Sequence, residues 1–212
     1  DGRAYLGTYD DALSASGQPL FAVDTADGSE SWSTSNGDAF DGRYHDGLLL
    51  VDVGPDGGVD SLAGALADAG FALSDVDQVV LTHHDADHAG GLAALRDRTE
   101  LTVSAHREEA PHVRGDADPV KGDGTDRYPP VAVDAELDGG EEFATRAGPA
   151  RVVETPGHTA GHVSLYLPDE RLLIAGDALV ADGDEPLSGP KPRFTLDVER
   201  AADAVATLAE LD

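Results

Sequence analysis

Thr82-His83-His84-Asp85-Ala86-Asp87-His88-Ala89-Gly90-Gly91 is the stretch that decides the fold. It places three imidazoles and two carboxylates within six residues, between an apolar run and two glycines. Imidazole nitrogen and carboxylate oxygen are ligands of zinc and other first-row divalent metals. The preceding Gln78-Val79-Val80-Leu81-Thr82 is short and β-branched, and reads as a buried strand. The following Leu92-Ala93-Ala94-Leu95-Arg96 has a helical pattern. The cluster therefore falls on a strand-to-helix loop, where a rigid scaffold can aim side chains. Gly90 and Gly91 read as positions of close backbone packing at the helix start.

Two further segments repeat the theme. Thr155-Pro156-Gly157-His158-Thr159-Ala160-Gly161-His162 follows the strand-like Arg151-Val152-Val153-Glu154, and Leu172-Leu173-Ile174-Ala175-Gly176-Asp177-Ala178 sets an Asp just past a buried apolar run. Together with Gly47-Leu48-Leu49-Leu50-Val51-Asp52-Val53-Gly54, these segments, in this order, resemble the metallo-β-lactamase superfamily over roughly residues 45 to 211. Strands interspersed with helices by themselves indicate only a mixed α/β chain. The resemblance implies more: an αββα sandwich of two mixed sheets with helices on the outer faces.

It also implies a ligand set. His83, Asp85 and His158 correspond to a first metal site, Asp87 and His88 to a second, and Asp177 to the carboxylate bridging both. Asp87 and Asp177 are then the catalytic carboxylates, with Asp87 handling a proton. His84 and His162 fall beside the ligands as pocket or hydrogen-bonding residues. The chain departs from the commonest pattern at Asp85, where that pattern has His. One or two divalent ions are expected. Zinc is the default, and the hard oxygen of Asp85 shifts preference towards iron or manganese. His45, His106 and His112 stand alone in the sequence and read as structural or exposed.

Composition narrows the chemistry. The 212 residues fit one domain able to bury a sizeable core. Cysteine is absent, which removes disulfides, thiolate ligands and a Cys nucleophile. The formal net charge is -28, from 42 acidic and 14 basic residues spread along the chain, and only Lys121 and Lys191 are lysine. Such charge repels itself in dilute buffer and is screened over about 3 Å at molar salt. This is the signature of a halophilic cytoplasmic protein. It also argues against nucleic acid as partner, since phosphate binding needs clustered Lys and Arg. No run reaches membrane-spanning length, and no secretory leader is visible at Asp1. The oligomeric state is not legible.

Elsewhere, Ala4-Tyr5-Leu6, Leu20-Phe21-Ala22-Val23, Leu48 to Val53, Leu101 to Ser104 and Val163 to Leu167 read as strands. Ser29 to Asp38 reads as a loop, and residues 111 to 130, rich in Pro, Gly and Asp, as a long loop or lid. Val59 to Ala69 and Asp197 to Leu211 read as helices, the first stopped by Gly70, the second capped by Asp197. The family takes a further His from a loop beyond the final helix. No His follows His162. The expectation is therefore that the natural chain continues past Asp212 with a short strand and a Gly-His-type loop; the alternative is a second site built with only Asp87, His88 and Asp177.

The implied activity is hydrolysis of a small thioester, ester or lactone by a metal-activated hydroxide, as in the glyoxalase II-like branch. A persulfide dioxygenase-like mononuclear iron enzyme, an RNase Z-like phosphodiesterase and a non-catalytic metal-binding protein are the alternatives. No Gly-x-Ser-x-Gly elbow points to a serine hydrolase.

Overall fold

In the computed structural model, alternation of side chains along the central strands builds three separate cores. The structure describes residues 47–68, 71–121, 127–145, 148–181 and 187–211, with side chains from 49 onward, together with the backbone of strands 3–7, 20–24, 30–33 and 42–44. One sheet has seven strands. These are β1 (Arg3–Gly7), β2 (Leu20–Asp24), β3 (Glu30–Ser33), β9 (Glu142–Thr145), β10 (Gly148–Glu154), β11 (Val163–Leu167) and β12 (Leu172–Ile174), in the order β3-β2-β1-β12-β11-β10-β9. The other has five: β4 (Gly42–Tyr44), β5 (Gly47–Val51), β6 (Val76–Val80), β7 (Thr102–His106) and β8 (Ala135–Leu137), in chain order. Both are mixed. The first is antiparallel except where β1 runs parallel to β12, and the second is parallel except where β4 meets β5.

Successive strand residues face opposite ways, and the cores follow that rule. Leu49, Val51 and Val80 pack with Val163, Leu165, Leu167, Leu172 and Ile174 between the sheets. Their neighbours Leu50, Val79, Leu81, Val103 and Ala105 point the other way, onto α1 (Val59–Asp68), α3 (Leu92–Arg96) and α4 (Ala110–Val113), through Leu62, Leu66, Leu92, Leu95 and Val113. On the far side Tyr166, Leu173 and Ala175 meet Leu208 of α5 (Val198–Leu208). The layers are helix, sheet, sheet and helix, the αββα sandwich expected. Short α2 (Ala86–Ala89) lies inside the His-rich loop.

Several boundaries differ from expectation. Residues 30–33 form strand β3 rather than loop. Among the described residues β3 is an edge strand, paired on one side with β2, so it needs no apolar run to persist. The stretch 111–130 begins inside α4, with Pro111 at the helix start where its missing N–H costs nothing. Asp197 does cap α5, its Oδ1 accepting from Arg200 N at 3.0 Å. Gly90 and Gly91 do mark close packing. A Cβ on Gly90 would lie 2.6 Å from Asp56 N, and one on Gly91 2.9 Å from Val53 O. Gly70 and His45 lie outside the described residues.

Candidate metal centre

The His- and Asp-bearing loops leave the ends of β5, β6, β10 and β12 on one side of the two sheets. Val163 N donates to Thr82 O at 3.0 Å, which ties the seven-stranded sheet to the start of the His-rich loop. Gly176, at φ 53, allows the turn after β12 to approach closely. A Cβ there would lie 2.9 Å from both His162 Nε2 and Thr82 Cβ.

Five side chains converge. His83, Asp85 and His158 form one group of ligand atoms lying within 4.8 Å of one another, and His83, His88 and Asp177 form a second. His83 Nε2 lies 3.3 Å from Asp85 Oδ2, His88 Nε2 3.3 Å from Asp177 Oδ1, and His158 Nε2 3.1 Å from Asp177 Oδ2. Asp87 stands at the rim. Its Oδ2 is 3.9 Å from His88 Nε2, its side chain is 37% exposed, and it joins neither group.

Asp52, given no role in the sequence reading, orients two of these imidazoles. It sits at φ 58 immediately after β5, in the left-handed region that Asp tolerates better than most residues. Its Oδ1 accepts from Thr82 N at 2.8 Å, and its Oδ2 from Thr82 Oγ1 at 2.7 Å. The Thr82 hydroxyl is thereby used as a donor, so at 2.9 Å it accepts from His83 Nδ1–H. His83 Nε2 is left as a bare lone pair, buried and without a hydrogen bond. His88 Nδ1 donates to Asp52 Oδ2 at 2.9 Å, which turns its Nε2 into the site as well. A buried imidazole nitrogen without a partner is costly unless something binds it. Two imidazoles fixed by one carboxylate in the metal-binding tautomer are what a divalent ion requires. The donor set therefore fits a metal.

His162 is not among the ligand groups. Its Nδ1 bonds Thr155 Oγ1 at 2.7 Å, and its Nε2 accepts from Asp177 N at 3.0 Å, holding the Asp177 backbone in place. Burial, then the proximity of His83 and His158, keeps its pKa well below the ordinary histidine value, consistent with a neutral acceptor. His84 also points away from the ligand cluster. Its backbone N donates to Glu109 Oε2 at 3.0 Å, its Nδ1 makes a short contact with the same oxygen, and its ring stacks on His112 at 4.1 Å. His112 is thus a packing partner of the loop rather than isolated. His106 is buried, 3.5 Å from Glu154.

Glu109, also missed in the sequence, fastens the two ligand loops together. Its other oxygen accepts from Gly161 N at 2.7 Å. Burial would raise its pKa, but the bond and charge of His84 prevail and hold it at about 2. Tyr128 closes the same loop by donating its hydroxyl to His84 O at 2.8 Å.

The two clustered carboxylates behave alike. Burial raises Asp85, yet contacts with His158 and His83 and the Lys121 charge hold it well below the usual carboxylate range. Asp177 is held down likewise, against burial, by His88, His83 and His158. Burial lowers His88, but Asp177 and Asp52 outweigh that and raise it well above the ordinary value. His158 is lowered, chiefly by burial. Its Nδ1 is buried without a partner, unlike that of His83 or His88, and its ring is held instead through Nε2, which lies 3.2 Å from Asp85 Oδ2. Lys121 reaches in from the 111–121 segment, touching the Asp85 carboxylate and donating to His158 Nε2 at 2.7 Å. Nothing at sequence level marked this lysine apart from the rarity of its type.

Known proteins bear on this arrangement. Residues 43–212 match the sequence profile of the Metallo-beta-lactamase superfamily. The chain is 36% identical over 134 residues to a hydroxyacylglutathione hydrolase of Cereibacter sphaeroides, covering 63% of this chain and 44% of that protein. It is 30% identical over 170 residues to the probable metallo-hydrolase YflN of Bacillus subtilis, covering 68% of this chain and 62% of that one. The match thus spans less than half the length of the first of these relatives. Among solved structures, a metallo-beta-lactamase family protein of Thermus thermophilus superposes with TM-score 0.64 at 21% identity, over 99% of this chain and 70% of that one. The subclass B3 metallo-beta-lactamase BJP-1 of Bradyrhizobium japonicum gives 0.59 at 22% identity, over 78% and 64%. At these identities the superpositions speak to the fold alone.

Proposed function

The chain belongs to the metallo-beta-lactamase superfamily, and from that premise we propose that it is a metal-dependent hydrolase of a small thioester, ester or lactone. The observation that carries the reading is the convergence of His83, Asp85, His158, His88 and Asp177, with His83 Nε2 a buried, unbonded lone pair. His83, Asp85 and His158 would hold one divalent ion, and His88 and Asp177 a second beside it. Zinc is the expected metal. A divalent ion so held supplies Lewis acidity and a coordinated water of pKa about 7.

The chain's own residues do the rest. Asp52 keeps both Nδ1 protons of His83 and His88 on the outside of the site, so their Nε2 lone pairs are fixed inward. His162 fixes the Asp177 backbone, and Glu109 fixes the spacing of the two loops. Asp87, at the open rim beside His88, would take a proton from the attacking water or return it to the leaving group. The kinship with hydroxyacylglutathione hydrolases favours a thioester of a hydroxy acid as the substrate class.

The experiment is metal analysis of the purified protein together with a hydrolysis panel of thioesters, lactones and phosphodiesters at molar salt. Metal-dependent turnover of a thioester, ester or lactone is expected. Turnover confined to phosphodiesters, or none with any metal, would refute the proposal. A second reading has one specific observation in its favour. Each ligand group contains two His and one carboxylate, a set that also suits a single non-haem iron. Bound iron with oxygen uptake on a persulfide would decide for a dioxygenase. The spread of acidic residues supports a protein adapted to high salt, working on small molecules rather than nucleic acid.

A further inference from the structure

Lys121 is out of place for so acidic a chain. It is one of only two lysines, and its side chain is 18% exposed. Four arginines pair with carboxylates away from the candidate metal-binding groups: Arg98 with Asp60, Arg114 with Glu136, Arg151 with Glu142, and Arg107 with Asp138. Lys121 instead places its ammonium on Asp85 and His158, two side chains of one metal-binding group.

Counting lone pairs shows what that ammonium can do. An imidazole nitrogen has one lone pair, so His158 Nε2 cannot accept from Lys121 and bind a metal together. A carboxylate has about four acceptor positions, so Asp85 can serve both. Were His158 given to a metal, Lys121 would have Asp85 as its remaining partner, and its flexible stem would let the ammonium turn towards the open site. A cation left beside a divalent ion is repelled by it. That repulsion is offset when a negative group enters between them.

We infer that Lys121 is a specificity-determining residue: its ammonium, anchored on Asp85, receives a carboxylate carried by the substrate close to the scissile acyl carbon. This inference rests on the hydrolase reading above, and it narrows the substrate class to acyl compounds bearing an acid near the reacting carbonyl. A point-charge donor with three protons can hold Asp85 and the incoming carboxylate at once.

The test does not depend on turnover. Wild type, Lys121→Met and Lys121→Arg are loaded with zinc, and the binding of a non-hydrolysable thioether carboxylic acid and of its methyl ester is measured by calorimetry. Zinc titration of each metal-free protein is run alongside. Wild type should prefer the acid, and Lys121→Met should lose about 10- to 100-fold of that preference, the range of one charge-assisted hydrogen bond. Lys121→Arg should retain most of it. Lys121→Met should bind zinc at least as tightly as wild type, because a competitor for His158 has gone. Equal preference in wild type and Lys121→Met, or no preference in wild type, overturns the inference. Weaker zinc binding by Lys121→Met overturns it too, because the lysine would then be a scaffold of the centre. Failure of the hydrolysis panel would refute the hydrolase reading while leaving this binding result to stand by itself.

Discussion

Replacing Glu109 separates the structural from the chemical content of the centre. The side chain is 1% exposed and accepts from His84 N, His84 Nδ1 and Gly161 N, so it joins the loop after β6 to the turn after β10. Glu109→Ala leaves those donors buried and unpaired, a loss of about 3–5 kcal/mol for a broken buried charged network. At about 2–4 °C per kcal/mol for a chain of this size, the midpoint should fall by about 6–20 °C. Glu109→Gln keeps the shape and one acceptor, but its amide N–H faces the His84 donors. It should cost about 1–3 kcal/mol. An independent check comes from pH. The folded pKa is lowered from 4.5 to about 2. A lowered carboxylate pKa gives stability that is present above the unfolded value and lost as pH falls through the folded one. At about 1.4 kcal/mol per unit, the gap corresponds to roughly 3 kcal/mol, in line with the contact argument. The assay is urea unfolding of wild type, Glu109→Gln and Glu109→Ala at fixed molar KCl, from pH 7 down to 2. The wild-type advantage over Glu109→Gln should shrink between about pH 4.5 and 2. Glu109→Ala within about 1 kcal/mol of wild type at pH 7, or an advantage independent of pH, would refute the assignment.

Asp177→Asn keeps the backbone bond to His162 but removes the charge facing His88 and His158. Metal content should fall and any hydrolysis should drop by orders of magnitude, whereas wild-type metal content by elemental analysis would speak against ligation. Gly157→Ala, at φ 139, would set a Cβ 2.3 Å from Ala201 N, so α5 must shift. A loss of about 3 kcal/mol or more in urea unfolding is expected, and a neutral result would show that α5 gives way freely. The unfolding midpoint of wild type should rise steeply from dilute buffer to molar KCl, given the net charge of -28, and a flat midpoint would defeat the reading of salt adaptation.

How much of the fold was legible depended on position within the sheets. The strands read correctly, such as β6, β11 and β12, lie inside their sheets and are bonded on both sides. Burial on both faces forces an apolar run, and an apolar run is visible in sequence. The strands that escaped, β3, β4, β8 and β9, are the four edge strands. β8 and β9 bury little. The fully buried position among them is Leu137, and β9 alternates between exposed and half-buried residues. A three- or four-residue strand of that kind leaves no periodicity long enough to separate from loop.

The site divides along a similar line. Histidine is rare in this chain and tightly spaced in the cluster, so His83, His88 and His158 were readable as candidates before any geometry, whereas the expected role of Asp177 came with the family resemblance. The roles of Asp52, Glu109 and Lys121 were not, because what they do depends on partners far along the chain. Asp52 bonds His88 across 36 residues, Glu109 bonds Gly161 across 52, and Lys121 bonds His158 across 37. In a chain with 42 acidic residues, one more Asp or Glu carries no local signal. The hint present was the Asp52-Val53-Gly54 turn, whose Asp takes up a positive φ and so faces back towards Thr82 and His88. Candidate ligands are therefore suggested by residue type and by the resemblance. Ligand orientation is written in long-range pairing, and the tautomers that make His83 and His88 useful to a metal follow from a carboxylate that sits 30 residues before Thr82 in the chain.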